Sequence, residues 1–219
     1  MKPILVVLIL LGPLTGQCQF SFEPNNDSTL FDKPYDSANI FEFKFTISSP
    51  WLYSSYLELT YNQDSIWNYK RYLIKNVDGE RVELSPMDST PNIGNIWNQL
   101  VELGFLTMKT EDEVTFKVIA NGKLFVLPYE TYQKMYPTDL ANFVSELSNQ
   151  HGTRTVMYYA PSEMLEKLQN SNQKWYVPEL YKASFCYKMI MDTFKFEDYR
   201  NKFIELRNQE QTVKTKKGR

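Results

Sequence analysis

The chain is poor in the residues on which most metal and phosphate chemistry is built. It holds one histidine, His151, and two cysteines, Cys18 and Cys186, in 219 residues. That excludes multi-histidine metal sites and disulfide-dense scaffolds. Glycine is scarce, with eight in all. None falls in a GxGxxG, GxxxxGKS or GxxxxGKT spacing, which excludes the phosphate-cradling loops. A DxDxDG calcium loop is missing too. Neither sign of charge dominates: 24 Lys and Arg face 26 Asp and Glu, a net of -2. Nucleic-acid binding normally needs a basic surplus, so that partner class is excluded. No cofactor is implied. No apolar run approaches the roughly 20 residues that span a bilayer core.

What is present begins at the first residue. Lys2 supplies a positive charge, Ile4 to Leu11 form an apolar run of eight, and Gly12-Pro13 breaks it before small and polar residues. Charge, short apolar core and breaker, in that order, predict a secretory signal peptide over residues 1–18. Leu14-Thr15-Gly16 resembles the start of a bacterial lipobox, but Gln17 stands where the cysteine should follow. Lipidation at Cys18 is therefore the minority alternative to cleavage that leaves Gln19 first. Either way the predicted destination is outside the cytoplasm: periplasm, outer surface or medium. Removing residues 1–18 takes away Lys2 and no acid, leaving 23 bases against 26 acids, a net of -3. Cys186 is then the sole cysteine, so the mature chain must be held by core burial without an internal disulfide.

Hydrophobic periodicity organises the rest. Residues 19–40 carry Asn, Asp, Ser and Pro without period and read as an extended leader. Asn26-Asp27-Ser28 is the one glycosylation sequon. Phe41, Phe43, Phe45 and Ile47 alternate with polar residues and predict a half-buried strand. Leu57, Leu59 and Tyr61 predict a second. Ile66 to Lys75 and Glu80 to Leu84 form a hairpin across Asp78-Gly79, and Val114, Phe116 and Val118 pair with Leu124 and Val126 in a second one across Asn121-Gly122. Helices are predicted at Ile96–Leu103 with Gly104 closing, at Leu140–Leu147, after Pro161, after Pro178, and through Phe196, Tyr199, Phe203 and Leu206. Residues 41–209 read as a single α+β domain: an antiparallel sheet of hairpins with helices packed mainly on one face and concentrated in the C-terminal third. Residues 210–219 read as a basic disordered tail.

Catalytic constellations are weak. Cys186 sits among bulky apolar residues on a predicted helix, which makes it an inert core thiol, and His151 reads as a helix C-cap residue. Glu42 and Glu58 are expected on solvated strand faces, and Glu111-Asp112-Glu113 in a solvated turn. Tyr69-Lys70-Arg71-Tyr72 reads as a strand with an exposed basic edge. Aromatics are the compositional excess: 15 Tyr, 14 Phe and 4 Trp. Trp51, Tyr53, Tyr56, Trp67 and Tyr69 are the candidate ligand-binding platform, suited to sugar rings, although strand propensity and core filling explain the same residues. The function expected is a non-catalytic binding or structural protein of the cell envelope or exterior, with carbohydrate or an envelope protein as partner. The alternative is a secreted hydrolase, a glycosidase with a carboxylate pair. The first expectation is tested by mass spectrometry of natively exported protein. A chain beginning near Gln19 is expected, and a diacyl-modified Cys18 would overturn the soluble reading.

Overall fold

The computed structural model describes residues 20–24, 36–48, 53–136 and 140–217, with side chains to 209. The predicted signal segment, Cys18, the sequon, Trp51 and much of the predicted leader lie outside the described residues. Nine strands and five helices are found among those described, and the strands are paired antiparallel throughout. The class is α+β.

A six-stranded sheet has the order β4-β3-β2-β1-β7-β8. Its strands are β1 (Asn39–Ser48), β2 (Tyr53–Asn62), β3 (Trp67–Lys75), β4 (Arg81–Glu83), β7 (Asn142–Asn149) and β8 (Gly152–Tyr159). Strand β1 is central, and the alternation of its phenylalanines explains why. Phe41, Phe43 and Phe45 all project to one face and are fully buried there. Their rings meet Trp97 at 4.7 Å, Phe105 at 5.6 Å and Tyr187 at 5.2 Å. Trp97 comes from α1 (Ile93–Glu102) and Tyr187 from α4 (Pro178–Thr193). Phe20, ahead of the sheet, stacks on Phe41 at 4.9 Å and joins this core.

The other side of β1 departs from the half-buried expectation. Glu42, Lys44 and Thr46 are buried as well. Lys44 Nζ lies 3.5 Å from Glu42 and 3.7 Å from Glu146 of β7. A strand flanked on both sides carries neighbours over both its faces, so alternation marks which face is apolar and not which face is wet. Glu58 on β2 is buried for the same reason.

Residues 140–147, predicted as a helix, form most of β7. Leu140, Phe143, Val144 and Leu147 satisfy a helical period, but Phe143 and Leu147 also satisfy a period of two. The partners decide: β7 pairs with β1 from Phe41↔Asn149 to Ser48↔Asn142, and with β8 along its whole length. His151 is thereby moved from a helix end to the exposed two-residue loop of the β7–β8 hairpin, where its backbone N–H donates to Asn149 Oδ1 at 2.8 Å.

The second predicted hairpin belongs to a separate three-stranded sheet, ordered β6-β5-β9. It consists of β5 (Phe116–Ala120), β6 (Lys123–Leu127) and a short β9 (Lys174–Tyr176) that periodicity does not reveal. Asn121 and Gly122 both take positive φ, 50° and 70°, the conformation a two-residue hairpin turn requires. Helices α2 (Tyr129–Gln133), α3 (Pro161–Gln169) and α5 (Phe196–Lys217) complete the described structure. The backbone of α5 runs into the stretch predicted as a disordered tail. That stretch carries Glu, Gln and three Lys, with no glycine or proline before Gly218, and these good helix formers offset Thr212, Val213 and Thr215. No helix among the described residues is long and apolar enough to cross a membrane.

Two side chains test the sequence reading of individual residues. Cys186 is fully buried on α4, and burial pushes its thiol up to about 11 against the opposing pull of the Lys182 charge. Arg71, predicted on an exposed basic edge, is buried. Strand β3 is covered by β4 and is no edge there, and Arg71 faces the helices. Its guanidinium donates to Phe194 O at 3.0 Å, Asp198 Oδ2 at 2.8 Å and Ser85 O at 2.7 Å. One side chain thus joins the end of α4, the start of α5 and the loop after β4. Arg71→Met keeps the stem and strands two carbonyls, so urea denaturation should show a loss of about 2–3 kcal/mol. Lys70→Met, at an exposed position of the same strand, should stay within about 0.5 kcal/mol.

Candidate functional site

The site is built around a short turn that docks on the open edge of β8. Thr110 begins a 3-10 turn over Glu111–Glu113 and is capped in return, its N–H donating to Glu113 Oε2 at 3.2 Å. The Thr110 hydroxyl donates to Met157 O at 3.1 Å and accepts from Met157 N at 3.0 Å. This pairing fixes the turn on β8 and sends Glu111 inward, where only 3% of it is exposed. Asp112 and Glu113 stay exposed. The solvated turn expected for the acidic triplet therefore holds for two residues and fails for Glu111. The reason is the Thr110–Met157 pairing, which sequence does not show.

Three donors converge on the buried carboxyl. Tyr132 OH donates at 3.4 Å, the Tyr159 backbone N–H at 3.2 Å, and Tyr136 OH makes a third, short bond. Pro128 opens α2, which carries Tyr132, and the turn that follows Gln133 brings in Tyr136, so both hydroxyls reach the same carboxyl. Aromatic stacking holds the donors: Tyr132 lies on Phe116 at 3.6 Å, and Tyr136 on Tyr159 at 4.3 Å. Next to Tyr159, Ala160 is buried with φ 38° and ψ 60° and leads into Pro161. A non-glycine residue held there, before a proline, is strained backbone beside the carboxyl.

Electrostatically, two opposing effects set the charge of Glu111. Burial raises its pKa; the bonds from Tyr136, the Tyr159 N–H and Tyr132 lower it, and the Asp112 charge raises it slightly. Burial wins and the carboxyl is pushed up to about 7. Tyr132 and Tyr136 are themselves driven up, first by burial and then by Glu111, so they remain protonated donors. The group is poised to hold or release a proton near neutrality, the property required of an acid–base side chain.

An open cleft of about 650 Å³ borders Glu111, with Asp112, Tyr129, Tyr136, Asn142, Met157 and Tyr159 among its lining. The three tyrosines are half-buried and Met157 is exposed. Apolar planes with hydrogen-bonding groups at the rim are the usual make-up of a small-ligand site. A second cleft, of about 620 Å³, lies beside Phe20 and is lined by Asn39, Tyr61, Gln63, Asn149 and His151.

The predicted aromatic platform is not assembled on one surface. Tyr53 is buried with Leu73 and Tyr199, its ring 5.9 Å from Phe203. Trp67 is half-buried, 5.8 Å from Trp97, and Tyr69 lies 5.9 Å from Phe194. Tyr56 is on the opposite face of the sheet, stacked on Tyr72 at 5.3 Å. The separation follows from side-chain alternation: Tyr53, Trp67 and Tyr69 register with the core face, and Tyr56 with the polar one. Sequence reasoning missed Tyr129, Tyr132 and Tyr136, although their spacing of three and four after Pro128 carried a readable signal. Comparison with known proteins found no matching family model, no matching curated relative and no matching solved structure.

The raised Glu111 carboxyl makes stability depend on pH in a definite sense. Its contribution is complete below the ordinary value of 4.5 and is lost as pH climbs through about 7, because the folded state must then bury a charge. Denaturation at pH 5 and pH 8 should show wild type losing up to about 3 kcal/mol relative to Glu111→Gln. The two proteins should be nearly equal at the acidic end.

Proposed function

We propose that this chain is an exported, non-catalytic binding protein of the cell envelope or exterior, and that the cleft beside Glu111 takes a carbohydrate ligand. One observation carries the reading. Half-buried Tyr129, Tyr136 and Tyr159 share a cleft with the hydrogen-bonding side chains of Asp112, Gln133 and Asn142. Sugars present apolar ring faces and a rim of hydroxyls, and this lining matches both. The three donors already on Glu111 favour a binding role, since they engage the carboxyl before any ligand arrives. The short leading apolar segment supports export.

A second reading has its own support. Glu111, near neutrality, and the exposed Asp112 border the same cleft. A general acid and a second carboxylate are what a glycosidase requires. Titration calorimetry with a panel of soluble oligosaccharides, combined with an assay for new reducing ends, separates the two. Binding without cleavage is expected, weakened about tenfold in Tyr129→Ala, equivalent to about 1.4 kcal/mol. Reducing ends released by wild type and not by Glu111→Gln would establish the hydrolase. Neither binding nor cleavage across the panel would sink the carbohydrate reading.

A further inference from the structure

We propose that β6 is the edge by which two copies of this chain associate, the β6 strands pairing antiparallel about a two-fold axis at Phe125. The proposal does not rest on the cleft at Glu111.

The argument starts from how the sheet edges are protected. Unpaired edges invite pairing, and folded proteins blunt them by shortness, charge, bulges or cover. Strand β4 has three residues, two of them charged. Strand β9 also has three residues and begins with Lys174. Strand β8 is long, but Thr110 occupies the backbone of Met157 and Glu111 that of Tyr159. Strand β6 is longer, and its single charge, Lys123, stands at its first position and leaves the four residues that follow apolar. It pairs with β5 in regular register from Phe116↔Leu127 to Ala120↔Lys123, with no bulge. Its outer side meets no other strand among the described residues. Leu124, Phe125 and Val126 are 60%, 48% and 63% exposed, and consecutive strand residues lie on opposite faces. Apolar side chains are thus left open on both sides of one unprotected edge.

A membrane would cover the side chains and leave the edge backbone unsatisfied in hydrocarbon. An added strand satisfies both. The strand length then points to a second copy. The five residues of β6 lie between the Asn121-Gly122 turn and Pro128, which has no N–H to donate. Two identical five-residue edges pair in full, antiparallel, only when Phe125 faces the second copy's Phe125. That register sets Leu124 against the second copy's Val126, and Lys123 against its Leu127. Leu124, Phe125 and Val126 meet apolar residues, and the lysines are kept from facing each other. The contact is isologous and closes at two copies. It extends each three-stranded sheet into one of six strands and continues the exposed face formed by Ile119, Leu124, Val126 and Tyr176.

Sedimentation equilibrium of the full chain at about 100 µM, a range suited to a small interface, should return twice the monomer mass. Val126→Glu, which places a charge on the edge and opposite Lys117 of its own sheet, should return the monomer with unchanged circular dichroism. Cysteine scanning reads the register in protein carrying Cys18→Ser, where the remaining native thiol is buried Cys186. Phe125→Cys should form a disulfide-linked dimer under mild oxidation. Leu124→Cys should do so at least about fivefold less, because the two Leu124 positions sit diagonally, about 8 Å apart, beyond disulfide reach. A monomeric wild type, or equal cross-linking at both positions, would overturn the proposal. So would a monomer whose β6 docks on vesicles of anionic lipid or captures an unrelated extended peptide.

Discussion

Three phenylalanines on one strand hold the larger sheet and the helical layer together. Phe41, Phe43 and Phe45 sit at full burial in the middle of the six-stranded sheet. Each meets a ring from a different part of the chain: Trp97 of α1, Phe105 just after it, Tyr187 of α4. Phe196, at the start of α5, adds a fourth contact at 5.5 Å from Phe45. The orientation of the helices over the sheet follows from where these rings must go. On the reverse face the same strand sets Lys44 between Glu42 and Glu146. Slipping the strand by one residue would drive three phenylalanines into a polar layer and Glu42, Lys44 and Thr46 into an aromatic one. The pairing register is held by both faces at once.

The carboxyl at Glu111 shows how a site arises from parts that are unremarkable singly. A capped turn docks on a strand edge, a five-residue helix and the turn after it lend one hydroxyl each, and a strand end lends an amide. None of these is a catalytic signature. Desolvation pushes the acid up, and the three donors pull it down. Their opposition leaves the carboxyl at about 7, its proton held more firmly than on an ordinary glutamate. The strained Ala160 sits where β8 turns into α3, one residue from the amide that contacts the acid. The two structural tensions therefore lie side by side in the chain.

Much of the fold could be read from local chemistry. Alternating phenylalanines gave β1, Asn-Gly gave the β5–β6 turn, and Pro161 and Pro178 opened the helices they predicted. Local chemistry failed wherever a distant partner made the decision. Residues 142–149 fit two periods, and only β1 and β8 on either side turned them into a strand. Arg71 looked like a solvent-facing base until the carbonyls of Phe194 and Ser85 were folded against it. Glu111 is legible as an acid beside two acids, but its burial depends on Thr110 finding Met157, 47 residues away. The aromatic platform failed because Tyr56 lies on the opposite sheet face from Tyr53, Trp67 and Tyr69, a distinction that composition does not carry.

The pairing of β1 with β7 sets a timetable for the molecule. Phe45 lies opposite Ser145, one hundred residues later in the chain. The first strands have sequence-adjacent partners and can zip together early, yet the outer side of β1 waits for a segment that leaves the ribosome long afterwards. Such remote closure is slow compared with hairpin formation. Until it happens, the ring-bearing face and the charged face of β1 are both incompletely covered, and the half-made sheet is adhesive. A polypeptide that finishes its central strand last leaves both faces of that strand open to other chains for a longer interval.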